Sequence, residues 1–336
     1  MDLRWIMGTI NDNNLSFADY VFQQVCPDNK FLEEMNEIIP WGELQEFFDT
    51  HIFRQHNKLG RPAYPIMLKF KIHLLQQWYD LSDFQAEYQI NDRLSFRKFL
   101  GLGMESDIPD STTIENFRHM MEEQDLGKKL IKMLDDYFIK NGLIRKEGNL
   151  VDATFLRANS KPTKNEDKKT DIDAEFGHKG FGFSGTINMD AKSKLIRKTN
   201  TTSAKLLDHQ SVEEVIIGDE KNFYGDKGYA PARAALRKKM PNCKIKIMYK
   251  RKRGKKGEPT PELHPLKTAA NKTYSKTRSR VEHAFATIKE VFGFKRLRYR
   301  GLERVSAKFD SLAIAYNLRR LGFLVREPIG AQQSCA

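Results

Sequence analysis

The sequence predicts an α/β fold preceded by an all-helical N-terminal domain. Two observations carry that reading. The apolar residues repeat at helical spacing up to about residue 145, and the pattern then turns to dense β-type runs. The charge reverses at nearly the same place: residues 1–150 hold 17 Lys and Arg against 24 Asp and Glu, whereas residues 151–336 hold 40 against 20. A hydrophobic content of 40% permits a packed core, and 11% aromatics argue against global disorder. The expected organisation is a helical domain over 1–145 and an α/β domain over 146–325. The second domain would carry a polar insertion at about 240–273, and a short tail would follow at 326–336.

The elements follow in order. In 31–52 apolar residues recur every three or four positions and Pro40 interrupts them, so two helices are expected. After the Pro-rich entry at 60–65, Leu68, Ile72, Leu75 and Tyr79 form one stripe, widened by Met67, Leu74 and Trp78, which predicts a strongly buried helix. Short helices are expected in 82–90 and 92–100. Ser111 or Thr112, with Glu115 behind, suggests an N-cap for the next helix. Gly142 is placed to stop the one after it. Beyond 148, NLVDATFL reads as a central strand, and 181–202 reads as two strands joined at Asp190-Ala-Lys-Ser. A helix near 208–216, a strand at 222–226, a helix near 230–239 and a strand at CKIKIM come next. The stretch 250–272 is polar and rich in Gly, Pro and Lys, as an exposed insertion would be. Long helices are expected at about 274–292 and 303–322.

The strongly basic second half points to a polyanion, and nucleic acid is the usual one. The three cysteines, Cys26, Cys243 and Cys335, are too scattered for a disulfide framework or a Cys-based zinc site, which suits a reducing cytoplasm. The N-terminus lacks the pattern of a signal peptide, and no apolar run is long enough to span a membrane.

Three acids invite a chemical reading. Asp152 interrupts a strand whose neighbours Leu150, Val151, Ala153 and Phe155 are apolar, a place where an unpartnered carboxylate is costly. Asp226 follows a short strand, in GDKGY. Glu282 lies on a helix whose core stripe is Val281, Phe285, Ile288 and Phe292; Arg278 and Lys289 share its own stripe. Taken singly, Asp152 has a strand-end cap as its lesser alternative, whereas Glu282 reads better as half of an exposed i,i+4 pair with Arg278. Taken together, two strands and one helix can bring the three acids to one sheet edge. Gathered carboxylates repel unless a cation neutralises them. Mg²⁺ suits hard oxygen ligands and retains open positions for a phosphate. Two such ions about 3.5–4 Å apart serve phosphodiester chemistry, and Mn²⁺ is expected to substitute.

The motifs resemble the bacterial insertion-sequence DDE transposases of the IS-five group. VDAT at 151–154 resembles the first-Asp motif, GDKGY at 225–229 the second, and RSRVEHAFATIK at 278–289 the third, with the spacing of Arg278, Glu282 and Lys289 kept. The likeness covers roughly 50–322. It implies an RNase H-like mixed sheet flanked by helices, with Asp152, Asp226 and Glu282 as the catalytic and metal-binding triad. It further implies hydrolysis at the inverted-repeat ends of a mobile element, then attack of the freed 3′-OH on target DNA. Joining two ends implies a homodimer on DNA. Where related families place a tyrosine three residues before the Arg, this chain has Ser275, with Tyr274 adjacent.

The expected DNA contacts are Lys161, Lys227, Arg251, Arg253, Arg278, Arg280, Lys289, Arg296, Arg298 and Arg300, binding backbone phosphates without reading sequence. Arg54, Lys58, Arg61, Arg93, Arg97 and Lys98 are candidates in the helical half. Asp171, Asp173 and Glu175 read as an acidic loop rather than ligands, and His283 as packing or as support beside Glu282 rather than a metal ligand. A catalytically inactive end-binding repressor and a sequence-indifferent nuclease are the competing readings. All three acids disfavour the first, and the long helical N-terminal half disfavours the second.

Overall fold

The computed structural model describes residues 22, 24–52, 62–165, 170–251, 262–294 and 297–326. The described residues up to Gln124, together with those from Leu321 on, form one compact unit; Asp125–Arg320 form a second.

The first unit is helical. Helices α1 (Lys30–Ile38) and α2 (Trp41–His51) are separated at Pro40, as its missing N–H dictates. Helix α3 (Ile66–Tyr79) buries nearly every side chain it carries, including the expected Leu68, Ile72 and Leu75. Helices α4 (Asp83–Asp92), α5 (Leu94–Leu100) and α6 (Ser111–Glu123) surround it. The cap of α6 is Asp110, not Ser111 or Thr112: its carboxylate accepts the Thr113 N–H at 2.8 Å, and both hydroxyl residues already lie inside the helix. Arg97 is buried and donates to the carbonyls of Gly103, Met104 and Ser106. It holds a loop and is not available to DNA. Arg54, Lys58 and Arg61 lie outside the described residues.

The second unit opens with α7 (Leu126–Lys140). Leu143 N–H bonds to the Phe138 carbonyl and Gly142 N–H to that of Ile139, with Gly142 at φ +71°, so the expected glycine stop is a Schellman motif. The sheet contains β1 (Asn149–Arg157), β2 (Glu175–Gly177), β3 (Gly180–Asp190), β4 (Ile196–Ser203), β5 (Asn222–Gly225) and β6 (Lys244–Ile247). Its order is β2-β3-β1-β5-β6, with β4 also pairing β3. β1, β3 and β4 are antiparallel; β5 and β6 run parallel to β1. Three antiparallel strands followed by two parallel ones make the RNase H-like mixed sheet. The three-residue β2 is too short for its alternation to stand out in the sequence.

Between β4 and β5 lies α8 (Asp208–Val215). After β5 a 3₁₀ turn (Lys227–Ala232) containing Pro231 leads into α9 (Arg233–Lys239). Val151, Val212, Phe223, Tyr229, Leu236 and Ile247 join these helices and strands into one apolar core. Helix α10 (Pro265–Ala286) starts well before its apolar stripe. Its first turns are polar and solvated, and only Val281, Ala284 and Phe285 are buried, so periodicity could not mark the beginning. Only the end of the expected insertion, from 265 on, is therefore helix, and residues 252–261 lie outside the described residues. A π-helical turn (Thr287–Val291) ends it.

The last helix, α11 (Leu302–Arg326), packs on the sheet: a Cβ at Gly185 of β3 would stand 2.9 Å from the Phe309 ring. Asn317 reaches β4, where its amide accepts from the Ile196 N–H at 2.8 Å and donates to the Ile196 carbonyl at 2.7 Å. The acidic loop has a structural task. Asp171 accepts the Gly301 N–H at 3.2 Å and Asp173 the Leu302 N–H at 2.8 Å, capping α11 from a distant segment. Among the described residues, no helix is long and apolar enough to cross a membrane.

Candidate active site

The site forms at the end of the two central parallel strands. Asn149 pairs with Phe223 and Leu150 with Tyr224. Continuing that register by two residues sets Asp226 beside Asp152, on strands that lie about 4.8 Å apart in any sheet. Side chains alternate along β1: Val151 joins the apolar core with α8, and Asp152 turns to α10.

Each acid has a local reason for its pose. The Asp226 carboxylate accepts the Gly228 N–H at 2.6 Å and starts the 3₁₀ turn. A Cβ on Gly228 would sit 2.9 Å from that same oxygen, which explains the second glycine of GDKGY. One turn on, Tyr229 is fully buried. Its hydroxyl is sealed from solvent and, among the described residues, has no hydrogen-bond partner. Burial, and after it the charges of Asp152, Asp208 and Asp226, hold that phenol well above its usual ionisation range.

Asp152 and Glu282 meet through Arg278. The guanidinium Nη1 donates to Asp152 Oδ2 at 2.7 Å, and Nη2 lies 3.5 Å from Glu282 Oε1. The other Asp152 oxygen accepts the Ala153 N–H at 3.0 Å. Burial raises the Asp152 carboxyl to about 6, and the charge of Asp226 adds to the rise; Arg278, the Ala153 N–H and Lys179 oppose it. The hard carboxylate oxygens fit a divalent cation chemically, but Arg278 already holds two of the three acids. Among the described residues no three His, Cys, Asp or Glu side chains are gathered as an ion would require.

The expected basic residues divide. Arg278 stands at the site, bound to Asp152 and beside Glu282. Lys289 lies on the π-helical turn, and burial and then the charge of Lys179 lower its affinity for a proton. Lys227 is exposed on the 3₁₀ turn beside Asp226. Arg280 instead donates to the Ala191 carbonyl at 2.9 Å. Lys161, Arg251, Arg298 and Arg300 are exposed, and Arg253 and Arg296 lie outside the described residues. His283 makes an edge contact with the Tyr316 ring, as packing predicts.

Two groups escaped sequence reasoning. Lys179, in the turn between β2 and β3, is felt electrostatically by both Asp152 and Lys289. Asp208 heads α8 and, with Ala153, Phe155, Lys179 and Ser184, lines a cavity of about 90 Å³. Neither sits in a motif; only the three-dimensional pairing of β3 with β1 brings Lys179 to this strand.

Two family models match the chain. A "Transposase domain (DUF772)" model matches residues 20–120, and a "Transposase DDE domain" model matches residues 144–318, more than half of the sequence. No solved structure matches it. The second match spans all three acids and the whole RNase H-like sheet, and with the first it identifies the chain as a member of the insertion-sequence DDE transposase family.

Proposed function

We propose that this transposase cuts DNA at the inverted-repeat ends of its insertion sequence by metal-dependent hydrolysis, and then joins the freed 3′-OH to target DNA. Asp152, Asp226 and Glu282 are the residues that would hold the divalent ions, Mg²⁺ with Mn²⁺ as a substitute. Bound there, such ions activate the attacking oxygen and stabilise the leaving one. One observation carries the assignment: a single guanidinium spans Asp152 and Glu282 while Asp152 feels the charge of Asp226. Carboxylates from β1, from the end of β5 and from α10 thus share one small region.

The surrounding cations take the substrate backbone. Arg278, Lys289, Lys179 and Lys227, on a helix, a π-helical turn, a strand connection and a 3₁₀ turn, would hold a phosphodiester from several directions. Lys161, Arg251, Arg298 and Arg300 would extend the contact along the duplex. We assign end recognition and dimerisation on DNA to residues 1–145.

The test is cleavage. Purified protein with Mg²⁺ and a duplex bearing the element end is expected to cut at the boundary. Asp152→Asn is expected to lower the rate by about 100- to 1,000-fold, the range set by loss of a key electrostatic group, while duplex binding persists. Cutting by the variant at the wild-type rate would overturn the triad. Cutting without preference for the end would replace this reading with a sequence-indifferent nuclease.

A further inference from the structure

We propose that Arg278 is a built-in counter-ion: it closes the Asp152 and Glu282 carboxylates to a divalent cation until a DNA phosphate draws the guanidinium away. The proposal rests on the triad reading above.

The geometry makes cation binding an exchange. Both Asp152 oxygens are engaged, Oδ2 by Arg278 at 2.7 Å and Oδ1 by the Ala153 N–H at 3.0 Å. An ion approaching Asp152 must displace the guanidinium from Oδ2 or meet its positive charge at close range. The same guanidinium occupies Glu282, its i+4 neighbour. In this state the acids are divided around Arg278 and not gathered around a common point, in keeping with the lack of a three-ligand group among the described residues.

The contact is also built to open. Glu282 keeps 64% of its side-chain surface exposed and Arg278 keeps 24%, so both can leave by rotamer changes without unwinding α10. A phosphate offers the guanidinium the same bidentate acceptor geometry as a carboxylate. Lys179 marks where such a phosphate would arrive, since its charge acts both on Asp152 and on Lys289. One movement would then deliver Arg278 to the substrate and free two carboxylates. The enzyme without DNA would hold metal poorly, which guards against cutting before an end is bound.

Mn²⁺ binding to the full chain, counted by the spectroscopic signal of the free ion, tests this without reference to activity. Without DNA, Arg278→Ala is expected to bind Mn²⁺ at least tenfold more tightly than the wild type. Arg278→Gln provides a second variant that retains a polar chain, and circular dichroism identifies which of the two is folded. Adding a short duplex, with the duplex's own Mn²⁺ uptake subtracted, is expected to tighten wild-type binding about tenfold and the Arg278 variants less than twofold. Equal or weaker binding by the folded variants would overturn the proposal. Asp152→Asn separates the two levels. If it abolishes Mn²⁺ binding while the Arg278 variants bind no more tightly than wild type, only the counter-ion role falls. If Mn²⁺ binding survives Asp152→Asn undiminished, the triad reading falls and takes this proposal with it.

Discussion

Asp310, on α11, is buried at 1% exposure and far in sequence from every acid assigned to chemistry. Thr199 donates to one carboxyl oxygen at 2.6 Å; the other has no hydrogen-bond partner among the described residues. Burial raises this carboxyl to about 7, against the opposing pull of the Thr199 hydroxyl. Between the ordinary carboxyl value near 4 and about 7, the folded chain keeps a proton that the unfolded chain has released. Stability therefore falls as pH rises through that window, by up to about 4 kcal/mol. Asp310→Asn retains an acceptor for Thr199 and removes the titration. Urea unfolding at pH 5 and pH 8 is expected to show the variant more stable than wild type at pH 8 and the difference shrinking towards pH 5. A variant that loses stability equally at both values would exclude the effect. At this scale the sequence was legible where a residue broke its own local pattern. Asp152 stood out because it interrupts an apolar strand, and Asp226 because it sits in a glycine-flanked turn. Asp310, Asp208 and Lys179 lie in ordinary local surroundings, and their environments arise from segments distant along the chain.

Among the elements, α7, β4 and the segment before β5 are fastened by one side chain. Arg197 has no exposed side-chain surface. It makes paired hydrogen bonds of 2.8 and 3.0 Å to Asp135, and of the same lengths to Asp219. Arg197 and Lys146 hold the Asp219 carboxyl down to about 2 in spite of its burial. Removing the arginine would leave Asp135 buried without its cation, and breaking such a pair costs about 3–5 kcal/mol. Arg197→Ala is expected to lower the denaturant midpoint accordingly, at an unchanged slope; a loss below about 1 kcal/mol would mean that the network is solvated. Elements were legible when their apolar residues kept a period. The buried stripes of α3 and α10 and the paired strands β3 and β4 were marked in this way. Where solvated residues or very few residues form the element, as in the opening turns of α10 and in β2, no period exists to read.

For the whole molecule, the 40 basic residues against 20 acidic ones beyond position 150 set the expected response to salt. Binding to a duplex that lacks the element end should be governed by counter-ion release. If six to ten phosphates are contacted, affinity falls by about 10³–10⁵ between 50 and 200 mM salt. A nearly flat salt dependence, measured by fluorescence anisotropy, would argue against a phosphate-dominated interface. The charge reversal and the change of period made two regions legible. The grouping of α7 with the sheet was hidden, because its stripe resembles those of the helices before it and its partner, β4, comes some sixty residues later.

The amide of Asn317 has a consequence for the sheet border. Among the described strands β4 pairs only with β3, so its outer rim presents the unpaired backbone groups on which a strand from another polypeptide can template. By satisfying both the N–H and the carbonyl of Ile196, Asn317 imitates the missing neighbour at the first rung and denies it to any other chain. A single carboxamide, presented by a helix, thereby works against edge-to-edge aggregation.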